Sequence, residues 1–228
     1  MAATFINSTG TTIGTAASTW SIECHSSRHG GAMHAVGIGL ASTTVSVTDV
    51  VDNLGSTYSL AIARGASKPQ GVELWYRLNI SSGSTRVFVN LSGTSSGALA
   101  IGQFNGVSTA NALLQTGSSA ITANSTSHGS AEITPSEDNA LVISLARWNA
   151  STIGTVTVLG GMNTWLSTAT TVRTLGLYSI QTTASTVTGS FTTSSNCQHA
   201  SVIAAFSDTR AIVVKMRRRS LSMLGCGA

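Results

Sequence analysis

Alternation of apolar and polar residues is clearest across residues 71–106, where it predicts β-strands. In the first segment, Leu74 and Tyr76 fall on one side of an extended chain, and Glu73 and Trp75 fall on the other. A period of two is typical of strands that bury one face. The next segment repeats this pattern with Val87, Val89 and Leu91 on one face.

Two short polar segments separate the alternating segments in this region. Residues 81–84 read SSGS and residues 92–97 read SGTSSG. Short runs of Ser and Gly are typical of hairpin connections. The region therefore predicts a three-stranded β-meander that forms the centre of an all-β fold.

Further strands are predicted on both sides of this meander, ten to twelve in all. Residues 108–130 are rich in Ser, Thr, Asn and Ala without a sustained period, and predict a long surface excursion. No repeat at a fixed period stands out, which disfavours a propeller or a solenoid. We predict one antiparallel β-sandwich domain of jelly-roll type over residues 1–210, followed by a tail over residues 211–228. The other predicted strands cover residues 4–7, 18–23, 33–40, 43–51, 58–63, 140–148, 155–159, 174–180, 186–191 and 200–206.

The composition describes a folded protein with an almost uncharged surface. Only 9% of the 228 residues are charged, 42% are hydrophobic, and nearly three in ten are Ser or Thr. Four of the 12 basic residues lie in the tail, so the rest of the chain has eight basic and eight acidic residues. A nucleic-acid coat would spread basic residues over one face. The charge pattern therefore disfavours nucleic acid as the main partner.

No segment of the sequence predicts a secretory signal or a membrane span. The first ten residues lack a basic start and an apolar run, and no stretch approaches 18 apolar residues. We therefore expect synthesis in the cytoplasm. Cys24, Cys197 and Cys226 are odd in number and widely spaced, which favours two buried thiols and one terminal thiol, while a Cys24–Cys197 bridge stays open.

Several segments resemble the jelly-roll sandwich domains of bacteriophage structural proteins and some extracellular bacterial proteins. The shared elements are an Asp-Asn-x-Gly-x-x-Tyr turn at residues 52–58, a Trp-Tyr strand, a Val-x-Val strand and a Phe-x-Gly-Val segment. The resemblance covers roughly residues 45–107 and 138–206. It implies a virion component, either a capsid decoration (cement) protein or a tail or fibre module.

Three groups of residues could carry chemistry, and each has a simpler structural interpretation. Cys24, His25, His29 and His34 offer metal ligands but lack the paired spacing of structural zinc sites. His128 lies in a predicted loop without an evident catalytic partner, and no G-x-S-x-G motif is present. The adjacent carboxylates at 137–138 cannot face each other across a cleft as glycoside hydrolysis requires. We therefore expect neither an enzyme nor a bound metal or cofactor.

Aromatic residues provide the main alternative function, a lectin-like carbohydrate-binding module. Indole and phenol rings offer flat apolar faces on which sugars stack. Trp75 and Trp148 lie in alternating strands, however, which favours packing in a core or interface. A glycan ligand stays an alternative, carried by Trp20, Trp75, Trp148, Trp165, Tyr58, Tyr76 and Tyr178.

The tail is the strongest functional signal in the sequence. It joins a β-prone apolar run to three consecutive arginines and a second apolar segment. Arginine pairs well with carboxylates, and the apolar side chains could fill grooves on another protein. We predict that the tail binds a neighbouring subunit or the capsid shell through Val213, Val214, Lys215, Arg217, Arg218, Arg219, Leu221 and Leu224.

Together these features predict a non-enzymatic virion protein at the capsid surface that stabilises the shell by protein–protein contacts. A symmetric homo-oligomer is expected, and a trimer would suit threefold positions of a capsid. The same arginines could contact phosphates, but three or four such contacts give only weak, salt-sensitive binding.

Overall fold

The computed structural model describes residues 2–24, 31–64, 71–148, 154–168 and 174–209 of the chain. These residues form twelve β-strands in two antiparallel sheets that pack against each other, with no helix among them. The all-β sandwich predicted from the sequence is therefore confirmed. None of the described residues forms a helix long and apolar enough to cross a membrane.

Each sheet is built from one half of the chain. The first sheet has the order β1-β6-β2-β5-β4, with β3 also paired to β6. Its strands are β1 (Thr4–Glu23), β2 (Met33–Leu40), β3 (Val47–Asp52), β4 (Ser59–Arg64), β5 (Gly71–Arg77) and β6 (Arg86–Asn105). The second sheet has the order β10-β11-β8-β12-β7, with β9 also paired to β12. Its strands are β7 (Leu113–Gly129), β8 (Ala140–Trp148), β9 (Val156–Val158), β10 (Asn163–Thr168), β11 (Thr174–Gln181) and β12 (Ser190–Phe206).

The two halves have the same topology, because replacing each strand of the first half by the strand six later reproduces the second sheet. The pairing registers agree as well. Tyr76 lies between Ala35 and Ser59, and Tyr178 lies between Ile143 and Asn163 in the corresponding strands. The structure thus contains a twofold repeat that the sequence analysis missed.

Irregularities in the strands are repeated too. The register of the first strand skips one residue after Phe5, and that of β7 skips one after Leu113. In the edge strands β4 and β10, the skipped residues are Ala61 and Trp165. A β-bulge re-aims side chains and increases local twist, so shared bulges indicate equivalent curvature in the two sheets.

The sheets meet through contacts that follow an approximate twofold axis. The ring of Tyr76 packs edge-on against Phe206, with centroids 5.2 Å apart. The ring of Tyr178 packs in the same manner against Phe104, with centroids 5.7 Å apart. Reciprocal contacts of this kind are the signature of a twofold interface. The chain therefore resembles a dimer of two similar halves joined covalently.

Three apolar cores hold the molecule together. The shared core lies between the sheets and takes side chains such as Leu74, Phe104, Leu145 and Phe206 from both halves. The outer faces bury separate cores, one around Trp20 and one around Phe191. Every residue of β2 and of β8 is buried, because each strand contributes one face to the shared core and the other to an outer core.

Trp165 fills the shared core against glycines. A Cβ atom added at Gly37, Gly102 or Gly176 would approach the Trp165 ring within 3.2 Å. Indole can therefore lie flat against backbone in both sheets. In the first half the equivalent bulge position holds Ala61, so the large ring is present on one side of the twofold axis only.

Several strands predicted from the sequence are confirmed, and three expectations are wrong. Residues 92–97 are part of β6 and do not form a turn. The three-stranded meander is also wrong, since β2 lies between β5 and β6. The predicted excursion at residues 108–130 contains β7. The jelly-roll topology and the single-domain boundary at residue 210 stay predictions.

Candidate functional site

The predicted partner-binding residues lie outside the described part of the chain. This holds for Val213, Val214, Lys215, Arg217, Arg218, Arg219, Leu221 and Leu224, and also for Cys226. His25 and His29 of the cysteine–histidine segment lie outside it as well. Among the described residues, the candidates for chemistry are two polar clusters, one in each outer core.

The first cluster surrounds His34 on β2. His34 and Tyr58 are 0% and 5% exposed, and the His34 Nδ1 lies 2.9 Å from the Tyr58 hydroxyl oxygen. Asp52 is also buried, and its Oδ1 accepts hydrogen bonds from the backbone N–H groups of Leu54 and Ser56. The predicted turn at residues 52–58 thus places the Tyr58 side chain in the outer core of the first half. His34 Nε2 and Asp52 Oδ2 are buried atoms without a hydrogen-bond partner in this structure.

The second cluster joins His128 of β7 to His199 and Cys197 of β12. The Nδ1 atoms of the two histidines are 3.1 Å apart, and Cys197 Sγ lies 3.4 Å from His128 Nε2. His128 Nε2 also lies 2.9 Å from the Thr193 hydroxyl oxygen, which is 2.8 Å from the Ser195 carbonyl oxygen, and the single hydroxyl proton can serve only one of these contacts. The prediction that His128 lies in a loop without an evident partner is wrong, because His128 lies in β7 and contacts His199 and Cys197.

The hydrogen bonds fix the proton positions of this second cluster. The Gly129 carbonyl can only accept, so His199 donates to it from Nε2 over 3.0 Å. In a neutral ring, His199 Nδ1 then accepts from His128 Nδ1, which leaves His128 Nε2 as an acceptor. The Cys197 thiol can donate to that nitrogen. The result is a chain of hydrogen bonds from Cys197 through the two histidines to the Gly129 carbonyl.

The repeat shows that neither cluster is required by the topology. The strand pairings align Ala35 with Ile143 and Ser59 with Asn163. The residues just before these, His34 and Tyr58, therefore correspond to Val142 and Met162 of the second half. His128, Cys197 and His199 correspond in register to Trp20, Ser95 and Gly97. Each half therefore places a polar group where the other packs an apolar side chain.

Burial sets the protonation of these groups. Desolvation lowers the pKa of His34 and that of His128 to about 4, and it also lowers the pKa of His199. Loss of solvent raises the pKa of the Cys24 thiol to about 11. Near neutral pH the histidines are neutral and Cys24 is a thiol, so Cys24 lacks the thiolate character of a reactive cysteine.

We expect the free energy of unfolding to fall as the pH drops from 6.5 towards 4. The unfolded chain binds protons at its histidines near pH 6.5, whereas folded His34 binds one only near pH 4. For His34 alone the loss between pH 7 and pH 4 is on the order of 3 kcal/mol. The raised pKa of Glu73 acts in the opposite direction, because the folded carboxyl gains its proton first. Urea unfolding at several pH values measures the slope.

A matched variant isolates the His34 contribution. Replacing His34 by Val and Tyr58 by Met imports the apolar pair of the second half, and removing both partners together leaves no unpaired hydroxyl. We expect this double variant to lose less stability on acidification than the wild type. His34→Val alone should cost about 1–3 kcal/mol at pH 7, because it strands the Tyr58 hydroxyl. An unchanged slope in the double variant would contradict the assignment.

The remaining chemical candidates have structural partners. Glu137 Oε2 accepts a hydrogen bond of 2.7 Å from Ser207, and Asp138 Oδ1 accepts one of 2.8 Å from the Ala184 N–H. Within the described ranges, no three His, Cys, Asp or Glu side chains are arranged to hold a metal ion. Cys24 and Cys197 are buried free thiols in separate halves, so the open alternative of a bridge between them is not realised.

Most of the aromatic residues proposed for sugar stacking are inside the protein. Trp20, Trp148 and Trp165 are each at most 3% exposed. Trp75 is partly buried, and its indole N–H donates to Glu73 Oε2 over 2.8 Å. These four rings therefore do not form an exposed platform.

One surface groove of about 470 Å³ lies beside the end of β1. It is lined by Glu23, Cys24, Asn53, Thr85, Arg86 and Phe88. Glu23 and Arg86 form an ion pair within it, and the Asn53 side chain binds backbone groups of Thr85 and Arg86. The ion pair thus joins β1 to β6, and the Asn53 side chain holds the β3–β4 turn against the start of β6.

Comparison with family models, curated proteins and solved structures finds no match to this chain.

Proposed function

We propose that the chain is a non-enzymatic virion structural protein of the capsid decoration (cement) type. It stabilises a phage shell by protein–protein contacts, and its tail binds the shell or a neighbouring subunit. The observation that carries this proposal is the placement of its reactive side chains. His34, His128 and His199 are at most 4% exposed and hydrogen-bonded inside the protein, whereas the long outer strands present Ser, Thr and Gly.

The fold supports a structural role of this kind. Each half buries an outer core, and a third core joins the halves into one sandwich. Such a body offers broad strand-covered surfaces and few charges. Specific contacts are then made by shape and by hydroxyl groups, and a charged tail adds directional pairing.

We also propose that the sandwich over residues 1–210 is of jelly-roll type, with the same strand arrangement in each half. A jelly roll is a double-sheet architecture of antiparallel strands. β1 pairs with β6 along both ends of their length, with register shifts between Ile13 and Thr19. β3 pairs with residues 87–91 of β6, and β2 pairs with residues 97–104 of the same strand. β7 and β12 show the equivalent arrangement with β9 and β8.

Removal of residues 211–228 should abolish binding to the shell. In co-sedimentation with particles that lack the chain, we expect the full-length protein to pellet with the shells even at about 0.5 M salt, where exposed charge contacts are screened. Replacing Arg217, Arg218 and Arg219 by Ser should weaken binding at least about tenfold, because each lost ionic hydrogen bond removes roughly 1.5–3 kcal/mol.

The matched control is Arg86→Ser, which removes an exposed arginine from the described sandwich. This variant should bind like the wild type. Equal binding by the truncated chain would contradict the role of the tail. Absence of the full-length chain from the shell pellet would contradict the decoration function itself.

A further inference from the structure

The two sheets stack so that each side of the sandwich carries two edge strands. β1 of the first sheet lies over β10 of the second, and Ser8 donates a hydrogen bond to the Trp165 carbonyl there. On the opposite side β4 lies near β7, and Arg64 donates to Ser118 over 3.4 Å. All four strands are paired along one side only within the described part of the chain.

The β1 edge lacks the features that usually protect a sheet edge. Natural edge strands are commonly short, charged or interrupted by proline, because unpaired backbone groups otherwise recruit another strand. β1 is 20 residues long, contains no proline, and has one charged residue, Glu23, at its last position. Between its bulges, Asn7–Ile13 pairs with β6 in an unbroken register. This segment spans roughly 23 Å of regular, uncharged edge.

Charge distinguishes the two sides of the sandwich. The segment NSTGTTI of β1 and the neighbouring edge strand NTWLST of β10 contain no charged residue. On the other side, β4 ends with Arg64 beside β7. Antiparallel pairing of an edge with its own copy places identical segments opposite each other, and like charges directly opposite are destabilising. β7 is also uncharged, but the Arg64 side chain lies against its Ser118. Twofold pairing of β7 about Ser118 would therefore bring the Arg64 side chains of two copies close together, whereas Asn7–Ile13 of β1 and the neighbouring β10 contribute no charge.

We propose that β1 is a self-pairing edge, at which the Asn7–Ile13 segment of one molecule pairs antiparallel with the same segment of a second copy, centred on Gly10. The contact has twofold symmetry and joins the two first sheets into one continuous sheet. Thr9 of each copy then lies opposite Thr11 of the other, where hydroxyl-bearing pairs stabilise a sheet. This self-contact goes beyond the proposed shell contact and stands without it.

The orientation of β1 side chains selects the positions for a test. A Cβ at Gly10 would point at Leu166, and Ser8 contacts Trp165, so even-numbered positions face β10. Thr9 and Thr11 therefore face away from the shared core. Replacing both by Lys should place lysine opposite lysine twice in the paired edge. Replacing Thr9 by Lys and Thr11 by Glu instead places opposite charges together in the same register.

Sedimentation velocity of the full chain over a concentration series tests the proposal. We expect a wild-type dimer, a dissociation constant raised at least about tenfold in T9K/T11K, and recovery of the dimer in T9K/T11E. The control Q115K/T122K places two charges at exposed positions of β7 and should leave the dimer intact. A wild-type monomer at all concentrations would overturn the self-pairing. Equal dissociation constants for the wild type and T9K/T11K would overturn it as well. A monomer that still pellets with shells refutes only this inference, whereas a dimer that does not pellet refutes only the shell function.

Discussion

Gly97→Ala is expected to destabilise the protein by about 3 kcal/mol or more, enough to remove a large part of a typical stability margin. Gly97 lies in β6 between Ile13 and Leu40 of the flanking strands. A methyl group there would overlap the Gly39 carbonyl oxygen and the Trp20 ring. Backbone cannot move aside as a flexible side chain can, and the ring is held by a full outer core. Urea unfolding measures the loss.

Gly14→Ala is the matched control for this substitution. Gly14 lies in β1, and an added methyl group would meet no atom within 4 Å. We expect its free energy of unfolding to stay within about 1 kcal/mol of the wild type or to rise, since alanine restricts the unfolded chain. Equal losses in the two variants would show that close approach at Gly97 is not the cause.

Phe104→Ala and Phe206→Ala should each lower the free energy of unfolding by about 3–5 kcal/mol, and the two losses should be similar. Both side chains are 0% exposed and lie at register-equivalent positions in β6 and β12. Each ring packs on a tyrosine of the opposite half, so each substitution opens a cavity in the shared core. Chemical unfolding monitored by tryptophan fluorescence gives both values.

Leu54→Ala provides the control, because this side chain is 51% exposed in the β3–β4 turn. Its effect should stay within about 0.5 kcal/mol. If one phenylalanine proved dispensable while the other did not, the two halves would not share the core as the twofold arrangement requires.

The central strands were predictable because their sequences have a single interpretation. β2 and β8 match the predicted strands residue for residue, since each is largely apolar on both faces. The alternation in β5 and in the first part of β6 was also read correctly, with Leu74 in the shared core and Val87 in the outer core.

The long edge strands were not predictable from periodicity. β7 is uncharged and rich in Ser, Thr and Ala, a composition that turns and strands share. It is a strand because β12 offers it backbone partners on both sides of the register shifts near Cys197. The same composition predicts a turn at residues 92–97, although β6 continues through them and Ser95 and Gly97 pair with β1.

The internal repeat and the histidine cluster depend on long-range contacts. The halves share register, bulges and burial, while equivalent positions hold residues as different as Trp20 and His128. His128 and His199 are 71 residues apart in sequence, and no local pattern links them. The sequence shows that two histidines are present. Only the pairing of β7 with β12 brings their side chains together.

Electron-microscopic reconstruction of phage shells assembled in the presence of the chain tests its proposed role as a shell component most directly. The account predicts density for the twelve-stranded body at regular positions on the outside of the shell, with its C-terminal segment in contact with shell subunits. Particles whose shells are complete without the chain, together with free monomers that turn over a substrate, would contradict it.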